Sequence, residues 1–331
     1  MTLSFIVPVK NDAQRLKRCL ASIVAIGGDR EIIVVDNGST DDSPAVARAL
    51  GARVLSVPGK PVSALRNEAA AVAHGDYLAF VDADHELASS WMAAAGDVMQ
   101  QYDVGAAGAL YVAPADGTWV QRTYGSLRGR TVGRADTRWL GSGNLIVRRA
   151  AFEAIGGFDA TLESCEDVDL CQRLRDTGWR VVADERLVSV HHGDPSTLGG
   201  LFRAERWRGR DNFRVTFRTR VTARDLPSIV SPIVIALAFP TMLAGIVAAP
   251  FTAGHSLPMA AAAAVAFAII ALARTARIAS VDGQWGIGAV SRALAVAITY
   301  ELARASAVVT RAVHHRHPSP TTARPVGASV K

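Results

Sequence analysis

The sequence predicts an α/β fold, a largely parallel sheet covered by helices on both faces, followed by a membrane region. Strand-like apolar runs alternate with helical segments over residues 1–190, which is typical of such a sheet. One of these runs, residues 77–81, ends abruptly in the carboxylates of Asp82 and Asp84. Residues 228–250 contain no charged side chain, which predicts the membrane region.

The strands and helices follow one another in a regular order. Asn11 or Asp12 is suited to cap the first helix, because its side chain can accept hydrogen bonds from the free backbone N–H groups there. The carboxyl ends of parallel strands open into the crevice where ligands bind, so we expect three strand ends to meet there. The predicted strands are residues 3–9, 31–35, 53–57 and 77–81, and the predicted helices are residues 11–25 and 63–74.

Asp82 and Asp84 lie at the end of a buried strand, where carboxylates are placed to bind a hard cation. Side chains alternate along a strand, so an i, i+2 pair points to one side, and a turn after Val81 would let both converge on one ion. Taken alone, this pattern is equally typical of a solvated turn or a helix N-cap. The other motifs of the chain favour the metal interpretation.

Two uncharged runs follow the α/β region, at residues 228–250 and 256–273. The first is long enough to cross a hydrocarbon core of about 30 Å. Together they predict a transmembrane hairpin, although the short, Ala-rich second run is also typical of a buried or re-entrant helix. Residues 289–313 contain four charged side chains and favour an interfacial amphipathic helix over a third span packed on the hairpin.

Arginines flank the predicted hairpin on both sides, and the link between its two runs has no Lys or Arg. The positive-inside tendency then predicts that both ends lie in the cytoplasm. Met1 leads directly into a strand without the features of a signal peptide, so we expect a cytoplasmic first domain. The flanking residues are Arg214, Arg218, Arg220 and Arg224 before the first run, and Arg274 and Arg277 after the second.

The chain has 331 residues, 50% of them hydrophobic, and a formal net charge of +6. Because the arginines concentrate beside the membrane segments, acidic lipid headgroups explain this charge better than nucleic acid does. The three cysteines, Cys19, Cys165 and Cys171, have neither zinc spacing nor a disulfide framework, and we interpret them as packing residues. Residues 314–331 predict a disordered tail, whose histidines are more typical of a solvated basic segment than of a metal site.

Several motifs resemble, in order, those of a family 2 glycosyltransferase with the GT-A fold, of the membrane-anchored bacterial type. The resemblance is collinear over about residues 3–215. It implies a catalytic domain at residues 1–215, a membrane region at 216–313 and a tail at 314–331. The motifs that carry the resemblance are residues 6–11, 34–41, 66–67 and 75–84 in the first half, and 142–149, 156–159, 166–174 and 190–193 in the second.

The resemblance implies a binding site for a nucleotide-diphosphate sugar. Asp36 would accept a hydrogen bond from the base or ribose, beside the backbone around Pro8, although Asp36 is also suited to start an Asx-turn. Arg66 would lie near the donor, where it could contact phosphate or stabilise the loop. The segment that ends at Asn144 contains glycines that would let the backbone approach the sugar or acceptor. Asp82 completes the predicted donor site.

The resemblance also implies a divalent cation, Mn²⁺ or Mg²⁺, that would neutralise the charge developing on the departing diphosphate. We expect Asp82, Asp84 and a later histidine as its ligands, and favour His191 over His192. Either histidine is also suited to a plain strand-end position. His85 departs from the acidic residue often found after the second carboxylate in such enzymes.

The pair Glu166 and Asp167 matches the acidic pair of the family, in which the aspartate removes the proton of the acceptor hydroxyl. Both would lie in the first turn of a helix, where acidic residues are also ordinary partners of the helix dipole. Asp169 and Arg173, four positions apart, predict a structural ion pair. We therefore expect Asp167 and Glu166 to be the catalytic residues.

These features predict an inverting, metal-dependent glycosyltransferase at the cytoplasmic face of the membrane, acting on a lipid-linked or glycan acceptor. Two alternatives are a sugar-nucleotide nucleotidyltransferase and an inactive membrane scaffold of the same fold. The first would need a Gly-rich phosphate loop after the first strand, where the chain has none. Arg203 stands where processive polysaccharide synthases carry Gln before an Arg-Trp pair, which favours transfer of a single sugar.

Overall fold

A computed structural model describes residues 2–218, 221–223 and 225–314 of the chain. The strands in this part are β1 (Leu3–Val9), β2 (Arg30–Asp36), β3 (Arg53–Ser56), β4 (Tyr77–Val81), β5 (His85–Leu87), β6 (Val104–Gly108), β7 (Arg134–Asp136), β8 (Asn144–Arg148), β9 (Arg180–Asp184) and β10 (Ser189–His191).

The helices in the same part are α1 (Ala13–Ala25), α2 (Ser43–Ala49), α3 (Val62–Val72), α4 (Trp91–Met99), α5 (Trp119–Arg128), α6 (Arg149–Ala154), α7 (Glu166–Asp176), α8 (Leu198–Arg208), α9 (Asn212–Thr216), α10 (Leu226–Ala248), α11 (Leu257–Asp282) and α12 (Ile287–His314).

Eight strands form one mixed sheet in the order β3-β2-β1-β4-β8-β6-β9-β7. The first four are parallel, and their carboxyl ends lie together at one edge, as the sequence predicts. β8 runs antiparallel between β4 and β6, and β7 runs antiparallel at the outer edge. The α/β class and the mostly parallel sheet are therefore confirmed.

The predicted bounds of β1 and β4 agree with the structure, and α1 begins two residues later than predicted. Asn11 has a φ of 53°, outside the helical region, so it cannot form part of the helix. Its side chain accepts a hydrogen bond of 2.7 Å from the backbone N–H of Thr40 instead. The helix therefore starts after Asp12, and the loops that follow β1 and β2 are joined at the strand ends.

Two apolar layers cover the sheet. On one face Phe5 contacts Trp91, with 5.5 Å between ring centroids. On the other face Phe80 packs edge-to-face on Phe158 at 5.0 Å. Cys19 and Cys171 are buried free thiols in these layers, which confirms their interpretation as packing residues. Because these layers are closely packed, they hold the carboxyl ends of the parallel strands in fixed positions.

A second sheet of two strands lies beyond the end of β4. β5 pairs antiparallel with β10, and in that register His85 lies opposite His191. β5 follows Asp84 directly, so the small sheet brings a distant segment of the chain to the carboxylates at the end of β4.

Three helices near the carboxyl terminus are long and apolar enough to cross a membrane, judged by length and composition over the described residues. Their candidate spans are Leu226–Phe251, Leu257–Asp282 and Ile287–Thr310. The first two pack closely: a Cβ on Gly245 would lie 2.8 Å from the side chain of Ala260, so the absence of a side chain permits the contact.

The third helix, α12, packs on the α/β region as well as on the hairpin. One apolar cluster joins Val296 of α12 to Leu201 of α8, Val120 of α5 and Ile278 of α11. Residues 289–313, for which the sequence favours an interfacial helix over a third span, thus lie in a helix that contacts both the hairpin and the α/β region. Residues 315–331 of the predicted tail lie outside the described residues, as do Arg220 and Arg224 of the predicted flanks.

Candidate active site

One cavity of about 1380 Å³ opens at the carboxyl ends of the parallel strands. Pro8 of β1 and the segment 82–85 after β4 line one side of it, and Asp167 of α7 lines another. The cavity continues to the carboxyl-terminal helices, where Arg274 of α11 lies in its wall. It therefore joins the predicted donor site, the predicted base and the predicted membrane region in a single space.

Arg66 connects the two predicted halves of the site. Its side chain is buried, and its guanidinium donates to Asp82 Oδ1 at 2.6 Å and to Glu166 Oε1 at 2.8 Å. A buried guanidinium needs such partners, because an unpaired charge would lose its hydration without compensation. Arg66 thus fixes the carboxylate at the end of β4 relative to the acidic pair at the start of α7.

Gly143, in the loop before β8, packs directly on this carboxylate. A Cβ at this position would lie 2.6 Å from Asp82 Oδ2 and 2.8 Å from His85 Nε2. Both distances are shorter than real side chains tolerate, so only glycine fits without displacing these groups. The glycine of the 142–149 motif is therefore required by a close approach of its backbone to the site.

Asp84, His85 and His191 form a cluster whose candidate ligand atoms all lie within 4.8 Å of one another. Asp84 Oδ2 is 3.3 Å from His191 Nε2. The other oxygen of Asp84 is buried and has no hydrogen-bond partner among the described residues, as expected of an atom reserved for a ligand. One carboxylate and two imidazoles are a suitable donor set for a divalent cation.

This cluster differs from the predicted ligand set of Asp82, Asp84 and His191. His85 belongs to it and Asp82 does not, and one oxygen of Asp82 pairs with Arg66. The membership of His85 depends on the pairing of β5 with β10, which no sequence pattern reveals. The one sign of this role in the sequence is that His85 stands where such enzymes often carry an acidic residue.

His192 points to different partners from those of His191. Its Nε2 lies 2.9 Å from Glu86 Oε2, and its Nδ1 lies 2.9 Å from the Arg18 guanidinium. The backbone N–H of His192 donates to the carbonyl oxygen of Asp84 at 2.8 Å. Within the described part of the chain, the cluster therefore contains His191 and not His192.

The electrostatics of the cluster suit a cation. Burial, and then the neighbouring His191, lower the pKa of His85 to about 4, so His85 is neutral and keeps a free lone pair. Its Nδ1 lies 2.9 Å from Ser189 Oγ, which leaves Nε2 directed at the site. Burial opposes ionisation of Asp84, but the His191 contact outweighs it and holds the pKa of Asp84 below its usual value.

A second carboxylate lies behind His191. Asp194 Oδ1 is 2.8 Å from His191 Nδ1, an ion pair whose angle falls short of hydrogen-bond geometry. Burial would lower the pKa of His191, but Asp194 and Asp84 raise it to about 9. The proton on Nε2 and a metal ion would compete for the same nitrogen. Asp194 in turn pairs with both Nη atoms of Arg128.

Asp167 is the accessible member of the acidic pair. The carboxylate of Glu166 is nearly buried and accepts from Arg66 and, at 3.2 Å, from Ser142 Oγ. Asp167 lines the cavity, and desolvation together with the charge of Glu166 raises its pKa to about 7. A carboxylate with a pKa near neutrality is well matched to accepting a proton.

The loop that leads into Asp167 is held in an uncommon conformation. Cys165, immediately before α7, has a φ of 59°, in the left-handed region that is unusual for a residue with a side chain. Its thiol donates to the carbonyl oxygen of Arg208 at 3.7 Å.

Asp169 and Arg173 form the predicted ion pair at 2.7 Å, which confirms it.

The side chains of Asp36 and Asn144 are buried and hydrogen-bonded within the fold. Asp36 is buried, and its carboxylate accepts from the backbone N–H of Ser39 at 3.1 Å, which is the Asx-turn alternative. Asn144 is fully buried, where its Oδ1 accepts from Trp91 Nε1 at 2.9 Å and its Nδ2 donates to the carbonyl oxygen of Leu187. Neither side chain lies in the cavity wall.

The fold resembles solved glycosyltransferases. One is a mannosyltransferase from Pyrobaculum calidifontis in complex with GDP-Man and Mn²⁺, with a TM-score of 0.61, 18% identity and coverage of 94% of this chain and 86% of that one. Another is glucosyl-3-phosphoglycerate synthase from Mycobacterium tuberculosis, with a TM-score of 0.50, 20% identity and coverage of 67% and 79%. The fold is therefore that of the GT-A glycosyltransferases.

Sequence comparison gives the family. Residues 4–156 match the family model described as glycosyl transferase family 2. A pre-mycofactocin glycosyltransferase of Mycobacterium tuberculosis is 27% identical over 192 residues, which are 54% of this chain and 40% of that relative. Glycosyltransferase AglE of Haloferax volcanii is 25% identical over 235 residues, 67% of this chain and 76% of the relative. Residues 4–156 of this chain therefore form a glycosyl transferase family 2 domain.

Proposed function

We propose that this glycosyltransferase transfers a single sugar from a nucleotide-diphosphate donor to a hydroxyl group of a lipid-linked or glycan acceptor, with inversion at the anomeric carbon. The observation that carries the proposal is Asp167, a carboxylate with a pKa near 7 in the same cavity as the carboxylates at the end of β4. In the transfer, the acceptor oxygen bonds to the anomeric carbon and Asp167 takes its proton. The bond between the anomeric carbon and the β-phosphate oxygen breaks, and its electron pair leaves with the nucleoside diphosphate.

Inversion is proposed because one base and one displacement are sufficient for this chemistry. Glu166 already accepts hydrogen bonds from Arg66 and Ser142, so we assign it the role of orienting the site. Asp167 is the carboxylate left to remove a proton. The likeness to a mannosyltransferase solved with GDP-Man supports a nucleotide-diphosphate sugar as donor.

Asp84, His85 and His191 would hold the divalent cation, Mn²⁺ or Mg²⁺. When bound there, the ion would neutralise negative charge on the donor diphosphate. The two imidazoles favour Mn²⁺ over the harder Mg²⁺. The side chain of Asp82 is 37% exposed and is oriented by Arg66. We therefore assign Asp82 to the part of the site that binds the donor.

For the nucleoside, we propose that the backbone around Pro8 lines the base pocket. Asp36 would act by shaping the turn with Ser39, and Asn144 by supporting the start of β8 from the core. Arg66 would act through Asp82 and Glu166, since its buried guanidinium binds both. The roles of Asp36, Asn144 and Arg66 follow the contacts that their side chains make in the fold.

We propose that α10 and α11 cross the cell membrane as a hairpin with both ends in the cytoplasm. The catalytic domain, residues 1–215, would then face the cytoplasm, and residues 216–313 would form the membrane region. The contacts of α12 with α5 and α8 support a place for this helix at the boundary between the hairpin and the catalytic domain.

The experiment measures nucleotide release and sugar transfer by detergent-solubilised protein with UDP-, GDP- and dTDP-sugars, in Mn²⁺ or Mg²⁺. We expect metal-dependent release from one donor, abolished by Asp84→Ala and by Asp167→Asn. Asp116→Asn, an exposed aspartate outside the cavity, is the matched control and should keep wild-type activity. Failure of every donor to bind or to be turned over would contradict the proposal.

A further inference from the structure

The end of the cavity nearest the membrane helices is lined by arginines that the proposed chemistry does not use. We call the four arginines of this wall the arginine chamber: Arg208 of α8, Arg274 and Arg277 of α11, and Arg304 of α12. Two carboxylates, Glu205 and Glu301, are paired with members of the chamber.

Glu205 is fully buried and holds two of the arginines. It pairs with Arg208 Nη1 at 3.0 Å and Arg304 Nε at 2.9 Å, and it also accepts from the Tyr124 hydroxyl. A carboxylate that is removed from water needs hydrogen-bond and ion-pair partners such as these three to replace its hydration. Glu205 is therefore already satisfied by the protein, and it offsets one positive charge of the two that it contacts.

Glu301 is also fully buried, and it binds the Nε of Arg274 and the hydroxyl of Ser231. The side chain of Arg277 is exposed and forms no hydrogen bond or ion pair with any described residue. The guanidinium groups of Arg274 and Arg304 stack on the ring of Tyr300, with centroid distances of 4.3 and 5.2 Å.

The arginine chamber therefore has four guanidinium groups against two carboxylates, a surplus of two positive charges. Arg274 and Arg304 bind their carboxylates through Nε, which leaves the Nη groups available. Parallel N–H donors of this kind match the oxygens of phosphate groups. Positive charges gathered at the edge of an apolar helix bundle favour an anionic ligand.

The chamber is connected to the base. Asp211, which follows α8, accepts from the backbone N–H groups of Glu163 and Ser164 at 2.9 and 3.2 Å. The carbonyl oxygen of Arg208 accepts from the Cys165 thiol at 3.7 Å. The loop that leads into Asp167 is thus fixed to the end of α8, the helix that Arg304 contacts through Glu205.

The chamber also reaches the membrane hairpin. Ser228, Ser231 and Pro232 of α10 line the same cavity. The more distant part of α10 exposes large apolar side chains such as Leu237, which is 66% exposed, as expected of a surface that contacts lipid. A ligand in the chamber would therefore have its charge among arginines and its hydrocarbon beside the hairpin.

We propose that the arginine chamber binds the phosphate or diphosphate of a lipid-linked acceptor, while the acceptor hydroxyl reaches Asp167. This inference rests on the proposed function and specifies its acceptor. The positive surplus selects a phosphate-bearing lipid over a neutral glycolipid, because a neutral headgroup would leave the surplus uncompensated. The connection through α8 then couples occupation of the chamber to the loop that carries the base.

The test uses full-length protein in phosphatidylcholine nanodiscs, with divalent cations removed by a chelator so that the metal cluster cannot bind phosphate. Calorimetry compares farnesyl diphosphate with inorganic pyrophosphate and with farnesol. We expect farnesyl diphosphate to bind more tightly than either, and Arg277→Gln to weaken that binding by about tenfold. Arg292→Gln, an exposed arginine of α12 outside the cavity, is the matched control and should bind as the wild type does.

Equal binding by Arg277→Gln and the wild type would overturn the inference. Pyrophosphate binding as tightly as farnesyl diphosphate would replace the lipid with a soluble phosphate, and farnesol binding as tightly would replace it with a neutral lipid; either result also overturns it. Metal-dependent nucleotide release is measured on the same preparations. Release without farnesyl diphosphate binding rejects only the acceptor site, whereas binding without release from any donor rejects only the proposed transferase chemistry.

Discussion

Asp194 lies behind His191, with its Oδ1 2.8 Å from the imidazole Nδ1, while Nε2 on the other side of the ring lies 3.3 Å from Asp84. Arg128 holds Asp194 by pairing with both of its oxygens. A carboxylate behind a metal-binding imidazole fixes the orientation of the ring and increases its basicity. Asp194 is thus a positioning residue of the proposed metal site.

We expect Asp194→Asn to weaken Mn²⁺ affinity by about 10- to 100-fold, because the amide cannot hold the imidazole as the carboxylate does. The affinity is measured by electron paramagnetic resonance of free Mn²⁺ during titration. Asp116→Asn should leave the affinity unchanged. An unaltered Mn²⁺ affinity in Asp194→Asn would show that Asp194 has only a structural role.

His85→Ala should weaken Mn²⁺ binding by at least about tenfold, since it removes a proposed ligand rather than a group behind one. His192→Ala is its matched control, because His192 contacts Glu86 and Arg18 instead of the cluster. The two affinities are compared by the same titration. A larger loss in His192→Ala than in His85→Ala would contradict the assignment of the cluster.

The turnover rate should depend on pH through Asp167. Its pKa is raised to about 7, and only the ionised form accepts a proton, so kcat should be low well below pH 7 and should rise to a plateau above it. Asp167→Asn should lower kcat by about 10²- to 10⁴-fold with little change in donor KM. The value of kcat is read at saturating donor, and donor KM from steady-state rates at varied donor concentration. The range from pH 5 to 8 extends on the order of one to two pH units to either side of that pKa. A kcat that does not change over this range would exclude Asp167 as the base.

Gly143→Ala should reduce kcat/KM by at least about tenfold, since overpacking typically costs about 1–3 kcal/mol and would displace Asp82 or His85. Gly96→Ala is the control, because a Cβ there would meet no atom within 4 Å. Thermal unfolding of both variants separates local displacement from loss of the fold. Wild-type activity in Gly143→Ala would mean that the loop moves aside without consequence.

Much of this architecture is predictable because it depends on local patterns. The apolar run of β4 ends at Asp82, and the order of strands and helices places the parallel strand ends at one edge. The acidic pair at the start of α7 is equally local. These features need only the alternation of side chains along a strand and the chemistry of helix starts.

The remainder depends on contacts between distant segments. His85 joins the cluster through the pairing of β5 with β10, and Asp194 reaches His191 through a turn held by Arg128. Asn144 lies within the 142–149 motif, yet its amide points into the core because Trp91 offers a partner there. No period or spacing in the sequence specifies these three placements, because each is decided by which segments meet in the folded chain.

The packing of α12 on α5 and α8 has a practical consequence for preparing this enzyme. A truncated version that ends near residue 215 would uncover Val120, Leu127 and Leu201, which α12 shields from water, and would remove Arg304 from the buried carboxylate of Glu205. Such a fragment would be prone to aggregation and would have a loosened loop before Asp167. The three carboxyl-terminal helices, which are long and apolar enough to cross a membrane, therefore also complete the catalytic domain.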